Sequence, residues 1–228
     1  MQHLAIIPDG NRRWAAQNKL ESMFGHQRGM EQVRMAIRTC IQSGIRYLSF
    51  YTFSLENFKR SELEKKYLFN LLADGFSKEL PELVKEGIRV RFIGDRQQFP
   101  TQLASVVKMV EEQTQHLTTL NMNLLFCYGG TAEIVAAVKQ IAQQAKDGHV
   151  EVEAITERTV HDALWTADLP DPDLIIRAGG ESRLSNYLLY QAAYSEFRVL
   201  ETYWPAVTEA ELAECIEKFN QTKRNFGQ

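Results

Sequence analysis

The chain has 228 residues, of which 44% are apolar and 24% charged, with a net charge of -3. That size and composition suit one soluble domain spanning residues 1–228, and the slight acidity argues against a general nucleic-acid binder, whose domain would be basic. The three cysteines, Cys40, Cys127 and Cys215, are widely spaced and odd in number, so they fit no zinc or disulfide framework and point to a reducing compartment.

The start, "MQHLAII", has no basic region ahead of a long apolar stretch, and no window reaches the roughly 18 apolar residues of a membrane span. The expectation is a cytoplasmic protein, with room for a substrate or product that lives in a membrane. The histidines are scattered, without metal-ligand spacing.

In chain order, strands are expected at 3–8, 47–53, 90–94, 122–128 and 174–178, with a weaker one at 197–201. These runs are short, rich in β-branched and aromatic residues, and mostly apolar throughout, which suits strands buried on both faces. Helices are expected at 29–43, 61–86, 102–117, 131–146, 185–194 and 208–222, with Pro81 bending or interrupting the second. Alternating strands and helices predict an α/β domain with a mainly parallel six-stranded sheet covered on both faces.

Polar residues cluster where the strands end. Asp9, Gly10, Asn11 and Arg13 follow the first strand; Ser54, Glu56, Asn57 and Arg60 follow the second. Gly94 and Asp95 follow the third, Gly129 and Gly130 the fourth, and Arg177, Gly179, Gly180, Glu181 and Arg183 the fifth. Ligands of parallel sheets bind at the carboxyl ends of the strands, so these groups predict one shared site.

"IIPDGNRRWA" (6–15) admits two readings. It is a helix cap with a surface ion pair, or a phosphate site in which Gly10 allows close approach, amides at the next helix start bind an anion, and Arg12 and Arg13 supply bidentate donors. In the second reading Asp9 would be repelled by phosphate unless Mg²⁺ lies between them. "RAGGESRLSN" (177–186) repeats the theme: Arg177 and Arg183 flank a Gly-Gly turn, and Ser185 can cap a following helix. "FSLENFKR" (53–60) offers Ser54, Glu56 and Asn57 to orient a substrate and Arg60 for phosphate, while His26 is a proton carrier, a phosphate donor or simply structural. "DLPDPD" (168–173) is no helical metal motif because Pro170 and Pro172 forbid a helix, and "GGTAE" lacks the lysine of a Walker loop. The residues alone thus reach a parallel α/β enzyme with two anion sites and Mg²⁺. The broad apolar face of 61–86 reads either as packing or as a groove for a long apolar substrate.

Taken together, "HLAIIPDGNRRWA", "FGHQRG", "YTFSLENFKR", "IGD", "NLLFCYGG", "DLIIRAGGESRLSNYLLYQAAYSE" and "YWP" resemble, in order, the cis-prenyltransferase family, which includes undecaprenyl diphosphate synthase. The resemblance runs from residue 3 to about 205. It implies Mg²⁺-dependent extension of an allylic diphosphate, typically farnesyl diphosphate, by isopentenyl diphosphate to a Z-polyprenyl product growing in an apolar tunnel between sheet and helices. It also implies a homodimer, peripheral delivery of product to the membrane and, in bacteria, supply of lipid carrier for cell-wall synthesis. By position, Asp9 resembles the essential metal-binding aspartate, and Gly10, Asn11, Arg12, Arg13 and Trp14 the loop around the allylic diphosphate, with His26 nearby. Asn57 resembles the residue that assists proton removal, with Ser54, Leu55, Glu56, Phe58 and Arg60 lining the same region. Arg177, Arg183, Leu184 and Ser185 resemble the isopentenyl diphosphate site, and Glu196 a metal-binding glutamate supplied near the dimer interface.

Several positions depart from the family pattern. Pro8 replaces a methionine, and Arg12 is a mild variation. Ser22 stands where an arginine contacting diphosphate is typical, Phe58 for tryptophan, Ser61 for proline, and Cys127 and Thr131 for asparagine and arginine. Phe126 is bulkier than usual at the tunnel wall and is expected to shorten the product, and "KRNFG" (223–227) is a thinned arginine-rich tail. A diverged short-chain synthase is one alternative. A non-catalytic partner subunit is another, against which stand Asp9, Asn57, Arg177, Arg183 and Glu196; an unrelated phosphotransfer enzyme is a third.

Overall fold

β1 (His3–Ile7) is buried at every position, and its side chains alternate between two cores: Leu4 and Ile6 enter one, Ala5 and Ile7 the other. This two-sided burial is why the strand reads as an unbroken apolar run. The computed structural model describes residues 1–222; "KRNFG" lies outside the described residues. After β1 come α1 (Asn11–Gln17), α2 (Ser22–Gln42), β2 (Tyr47–Ser54), α3 (Glu62–Lys85), β3 (Ile88–Ile93), α4 (Thr101–Thr114) and β4 (Leu120–Tyr128). α5 (Gly130–Lys146), α6 (Glu157–Ala163), β5 (Leu174–Ala178), β6 (Glu196–Leu200) and α7 (Glu209–Gln221) complete the chain. All pairings are parallel, in the order β3-β4-β2-β1-β5-β6.

α2, α3, α4 and α7 pack on the face that carries the larger core, and α5 and α6 belong to a smaller cluster with Ala137, Ile141 and Leu164. α1 crosses α2 closely because α2 presents Gly25 and Gly29 one turn apart. A Cβ at Gly25 would stand 2.0 Å from the Asn11 carbonyl oxygen, and one at Gly29 2.2 Å from Asn11 Oδ1. This seats the start of α1 directly beyond the end of β1.

The structure departs from the sequence reading at three points. Pro81 does not interrupt α3, because buried Leu80 and Leu83 hold its last turn against the core and offset the one lost backbone bond. Residues 185–194 are not a helix: Ser185, Asn186 and Leu188 have φ of 54°, 67° and 44°, a left-handed backbone that a right-handed helix cannot continue. A single 3-10 turn at Gln191–Tyr194 follows, so Ser185 caps no helix. α6, which carries its own Thr156–Thr159 capping box, was not anticipated.

Candidate active site

The carboxyl ends of β1, β2 and β5 open into a cleft of ≈ 890 Å³. Five arginines (Arg12, Arg13, Arg60, Arg177, Arg183) and three carboxylates (Asp9, Glu56, Glu181) line it, so the described lining is net cationic. Gly10, Asn11, His26, Ser54, Asn57 and Ser185 line it too. The groups after β3 and β4 do not. Gly94 packs so closely on β4 that a Cβ would meet the Phe126 carbonyl at 1.9 Å, and Asp95 caps the 3-10 turn Arg96–Gln98. Gly129 and Gly130 support the cleft from behind, against Asn186 and Leu189. The shared site is therefore built from three strands, not five.

Asp9 sits at its centre. The left-handed Gly10 (φ 95°) turns the chain so that the Gly10 N–H donates to Asp9 Oδ1 at 2.6 Å. Arg177 Nη2 donates to Asp9 Oδ2 at 2.8 Å, and Arg13 Nη2 lies 3.3 Å from the same oxygen. Burial alone would raise this carboxyl; the Arg177 and Gly10 hydrogen bonds and the charges of Arg177 and Arg13 outweigh it and hold Asp9 below its ordinary range. Asp9 is thus an anion whenever the site works.

Arg177 is the most buried cation of the cleft, at 4% exposure. Its Nη1 donates to the Ser185 hydroxyl at 2.7 Å and to the Arg183 carbonyl, so one guanidinium ties β1 to the turn after β5. Its Nε has no partner among the described residues. Arg13 also faces Glu181 at 3.4 Å and lies 5.1 Å over the Tyr203 ring. Every one of these cations leans on a carboxylate, an arrangement that a diphosphate can replace oxygen for oxygen.

On the opposite wall Ser54 and Asn57 form a capping box over the 3-10 turn Leu55–Lys59. Asn57 Oδ1 accepts the Ser54 N–H at 3.1 Å, leaving Nδ2 as the end free for a ligand. Glu64, which the sequence reading passed over, gathers Arg60 at 3.2 Å, Arg12 at 3.7 Å and His26 at 3.9 Å. Burial, with Arg60 and Arg12 beside it, pushes His26 down to about 4 against the pull of Glu64, so the imidazole is neutral at neutral pH. Asn186 was also missed. Its Nδ2 donates to Glu56 at 2.8 Å and its Oδ1 accepts the Thr131 N–H at 2.9 Å, clipping the turn after β5 to the start of α5.

The remaining candidates lie outside the lining. Trp14 is half-buried on α1, and Ser22 is exposed at the first residue of α2. Leu55 packs on the larger core, Leu184 on the core that Ala5 and Ile7 enter, and the Phe58 ring on Phe53 at 5.2 Å. Glu196 heads β6 opposite Leu174 and pairs with Arg198 at 3.0 Å. Leu174 in turn faces Leu4, five residues before Asp9, so about 16 Å of strand separates the two carboxylates within one chain. Among the described residues no group of three or more potential ligands could hold a metal ion. One carboxylate flanked by arginines suits Mg²⁺ brought by a diphosphate, since that ion commonly takes one or two carboxylates plus substrate phosphates.

Beneath the cleft lies an apolar chamber of ≈ 110 Å³ between α2, α3 and the sheet; His26 and Leu68 line both spaces. Phe126 forms part of its wall, its ring 5.6 Å from that of Phe53 and 5.1 Å from that of Phe99. Cys127 has a left-handed backbone (φ 49°), and burial pushes its thiol up to about 12.

The prenyltransferase family model of undecaprenyl diphosphate synthase matches residues 7–227. This chain belongs to that family. It is 40% identical to the ditrans,polycis-undecaprenyl-diphosphate synthase ((2E,6E)-farnesyl-diphosphate specific) of Micrococcus luteus, over 99% of this chain and 91% of that protein. It is 43% identical to an isoprenyl transferase of Agrobacterium fabrum, over 99% and 92%. Lavandulyl diphosphate synthase from Lavandula x intermedia, solved with dimethylallyl diphosphate, superimposes with a TM-score of 0.96 at 33% identity, covering 100% of this chain and 98% of that one. The protein is accordingly a transferase of the cis-prenyl class with the α/β fold of its relatives, and no helix among the described residues is long and apolar enough to cross a membrane.

Proposed function

We propose that this protein condenses isopentenyl diphosphate with an allylic diphosphate, farnesyl diphosphate first among the candidates, to give a Z-polyprenyl diphosphate. The observation that carries the reading is Arg177, buried and forked between Asp9 and Ser185, which joins two cationic walls into one two-anion cleft above an apolar chamber. The allylic diphosphate is assigned to Gly10, Asn11, Arg12 and Arg13, and the isopentenyl diphosphate to Arg177, Arg183 and Ser185.

In the reaction the allylic C–O bond breaks and its electron pair leaves with the diphosphate. The isopentenyl alkene forms the new C–C bond to the allylic carbon, and a proton is then lost from the isopentenyl unit. Arg13 and Arg177 are preorganised for charge that grows on departing oxygens. Mg²⁺ held by Asp9 and diphosphate oxygens would add Lewis-acid stabilisation of the leaving group. Asn57 is a carboxamide and no base; its free Nδ2 can hold a diphosphate oxygen in place to take the proton. Neutral His26 donates or accepts a hydrogen bond at the mouth of the chamber without adding charge. Glu196 enters this reading only from a second copy of the chain, in the homodimer that the family resemblance implies.

A shorter primer, dimethylallyl diphosphate, is a second reading, favoured by the small chamber and by the lavandulyl diphosphate synthase likeness. Incubation with Mg²⁺, labelled isopentenyl diphosphate and either dimethylallyl or farnesyl diphosphate tests both. Label carried into a longer prenyl diphosphate is expected; its absence with every primer supports the partner-subunit alternative and overturns this proposal.

A further inference from the structure

The first turn of α5 lies behind the isopentenyl side of the cleft and grips the turn after β5 in two places. At the near end, the Gly130 N–H donates to the Asn186 carbonyl at 2.7 Å and the Thr131 N–H to Asn186 Oδ1 at 2.9 Å. At the far end, Glu133 Oε2 accepts from Gln191 Nε2 at 2.9 Å. Gln191 opens the 3-10 turn Gln191–Tyr194, whose Ala192 N–H reaches back to the Leu188 carbonyl at 2.8 Å. The chain held in this way includes Ser185, Asn186 and Leu188, all three left-handed. Residues other than glycine keep such a backbone only where their surroundings over-determine it.

Glu133 is fully buried, and Tyr128, Thr166 and Gln191 are buried around it. Its Oε1 accepts from the Thr166 N–H at 3.1 Å and the Thr166 hydroxyl at 2.9 Å, and its Oε2 from Gln191 and the Tyr128 hydroxyl. Four donors thus meet two oxygens, and neither hydroxyl has another acceptor among the described residues. Glu133 is therefore an anion satisfied by neutral donors. Burying such a charge is costly, yet Glu133 stands outside the lining of the cleft.

We propose that Glu133 is a positioning residue for the isopentenyl side of the cleft. Through Gln191 its carboxylate holds the turn after β5 in the conformation that presents Arg183 and Ser185 to the second diphosphate. The inference rests on the assignment of that diphosphate to Arg177, Arg183 and Ser185. Ser185 is where the turn meets the cleft: its hydroxyl accepts from Arg177 at 2.7 Å and its carbonyl from the Tyr51 hydroxyl at 3.3 Å. A turn released at Gln191 shifts these groups together. The allylic side is carried by β1 and α1 and stays in place.

Glu133→Leu removes the anchor outright and is expected to raise the KM for isopentenyl diphosphate. It also strands four donors at some risk to folding, so the deciding pair is Gln191→Met and Tyr128→Phe. Each takes one donor from the same carboxylate at little change in volume, and both lose stability. Only Gln191→Met frees the turn. With Mg²⁺ and farnesyl diphosphate, its KM for isopentenyl diphosphate rises about 10-fold, the weight of one hydrogen bond to a charged group, while the allylic KM moves far less. Tyr128→Phe keeps the wild-type KM values. A purely structural role would lower the melting temperature and kcat of both variants and leave KM unmoved; that result overturns the proposal, as does an equal KM rise in Tyr128→Phe. Calorimetric titration with isopentenyl diphosphate and Mg²⁺ reads the same contrast without turnover. Weaker binding in Gln191→Met but not in Tyr128→Phe supports the anchor even where no elongation occurs, and equal binding in both overturns it. Absence of turnover with that contrast intact overturns the elongation reading alone.

Discussion

Asp9→Asn lowers kcat by at least about 10²- to 10³-fold, the loss seen when one preorganised charge-stabilising group is removed from a transition state. The expected KM for the allylic diphosphate changes much less, because the Arg13 and Gly10 side of the cleft is intact. The substitution is nearly isosteric. Asn keeps one oxygen for the Gly10 N–H, so the turn after β1 holds its shape, while the negative charge and the acceptor facing Arg177 are lost. Steady-state kinetics with each substrate varied, beside circular dichroism of both proteins, separates chemistry from folding. Near-normal turnover in a folded Asp9→Asn protein would remove Asp9 from the metal and leaving-group role.

Arg177→Lys is expected to raise the KM for isopentenyl diphosphate more than that for the allylic substrate. Lysine keeps the charge but cannot fork between Asp9 and Ser185 as the guanidinium does. A hydrogen bond to a charged group is worth about 1.5–3 kcal/mol, which corresponds to about a 10- to 150-fold rise in KM. The variant also loosens Asp9, so kcat falls alongside. A fall in kcat with the isopentenyl KM unmoved would confine Arg177 to holding Asp9 and leave the second diphosphate without its anchor.

The sheet was legible because its strands are buried on both faces: β1, β4 and β5 are mostly apolar and buried at all but one position, and such runs announce a covered parallel sheet. Asp9, Arg13, Asn57 and Arg177 stood out because charge and glycine at a strand end have no packing role. The turn after β5 was misread, since "LSNYLLYQAAY" has a helical apolar spacing while the backbone at Ser185, Asn186 and Leu188 is left-handed. Glu64 looked like an ordinary acid in the first turn of α3; its partners Arg12 and His26 come from other elements, a meeting that spacing along the chain cannot reveal.

The central claim is that one cleft holds two diphosphates at once, on either side of Asp9 and Arg177. Calorimetric titration tests it most directly, with the unreactive farnesyl thiolodiphosphate and isopentenyl diphosphate in Mg²⁺. The expected result is one equivalent of each per chain, isopentenyl diphosphate binding undiminished when the farnesyl analogue is already in place, and loss of isopentenyl binding first in Arg177→Lys. Mutual displacement of the two ligands from a single anion site would contradict it.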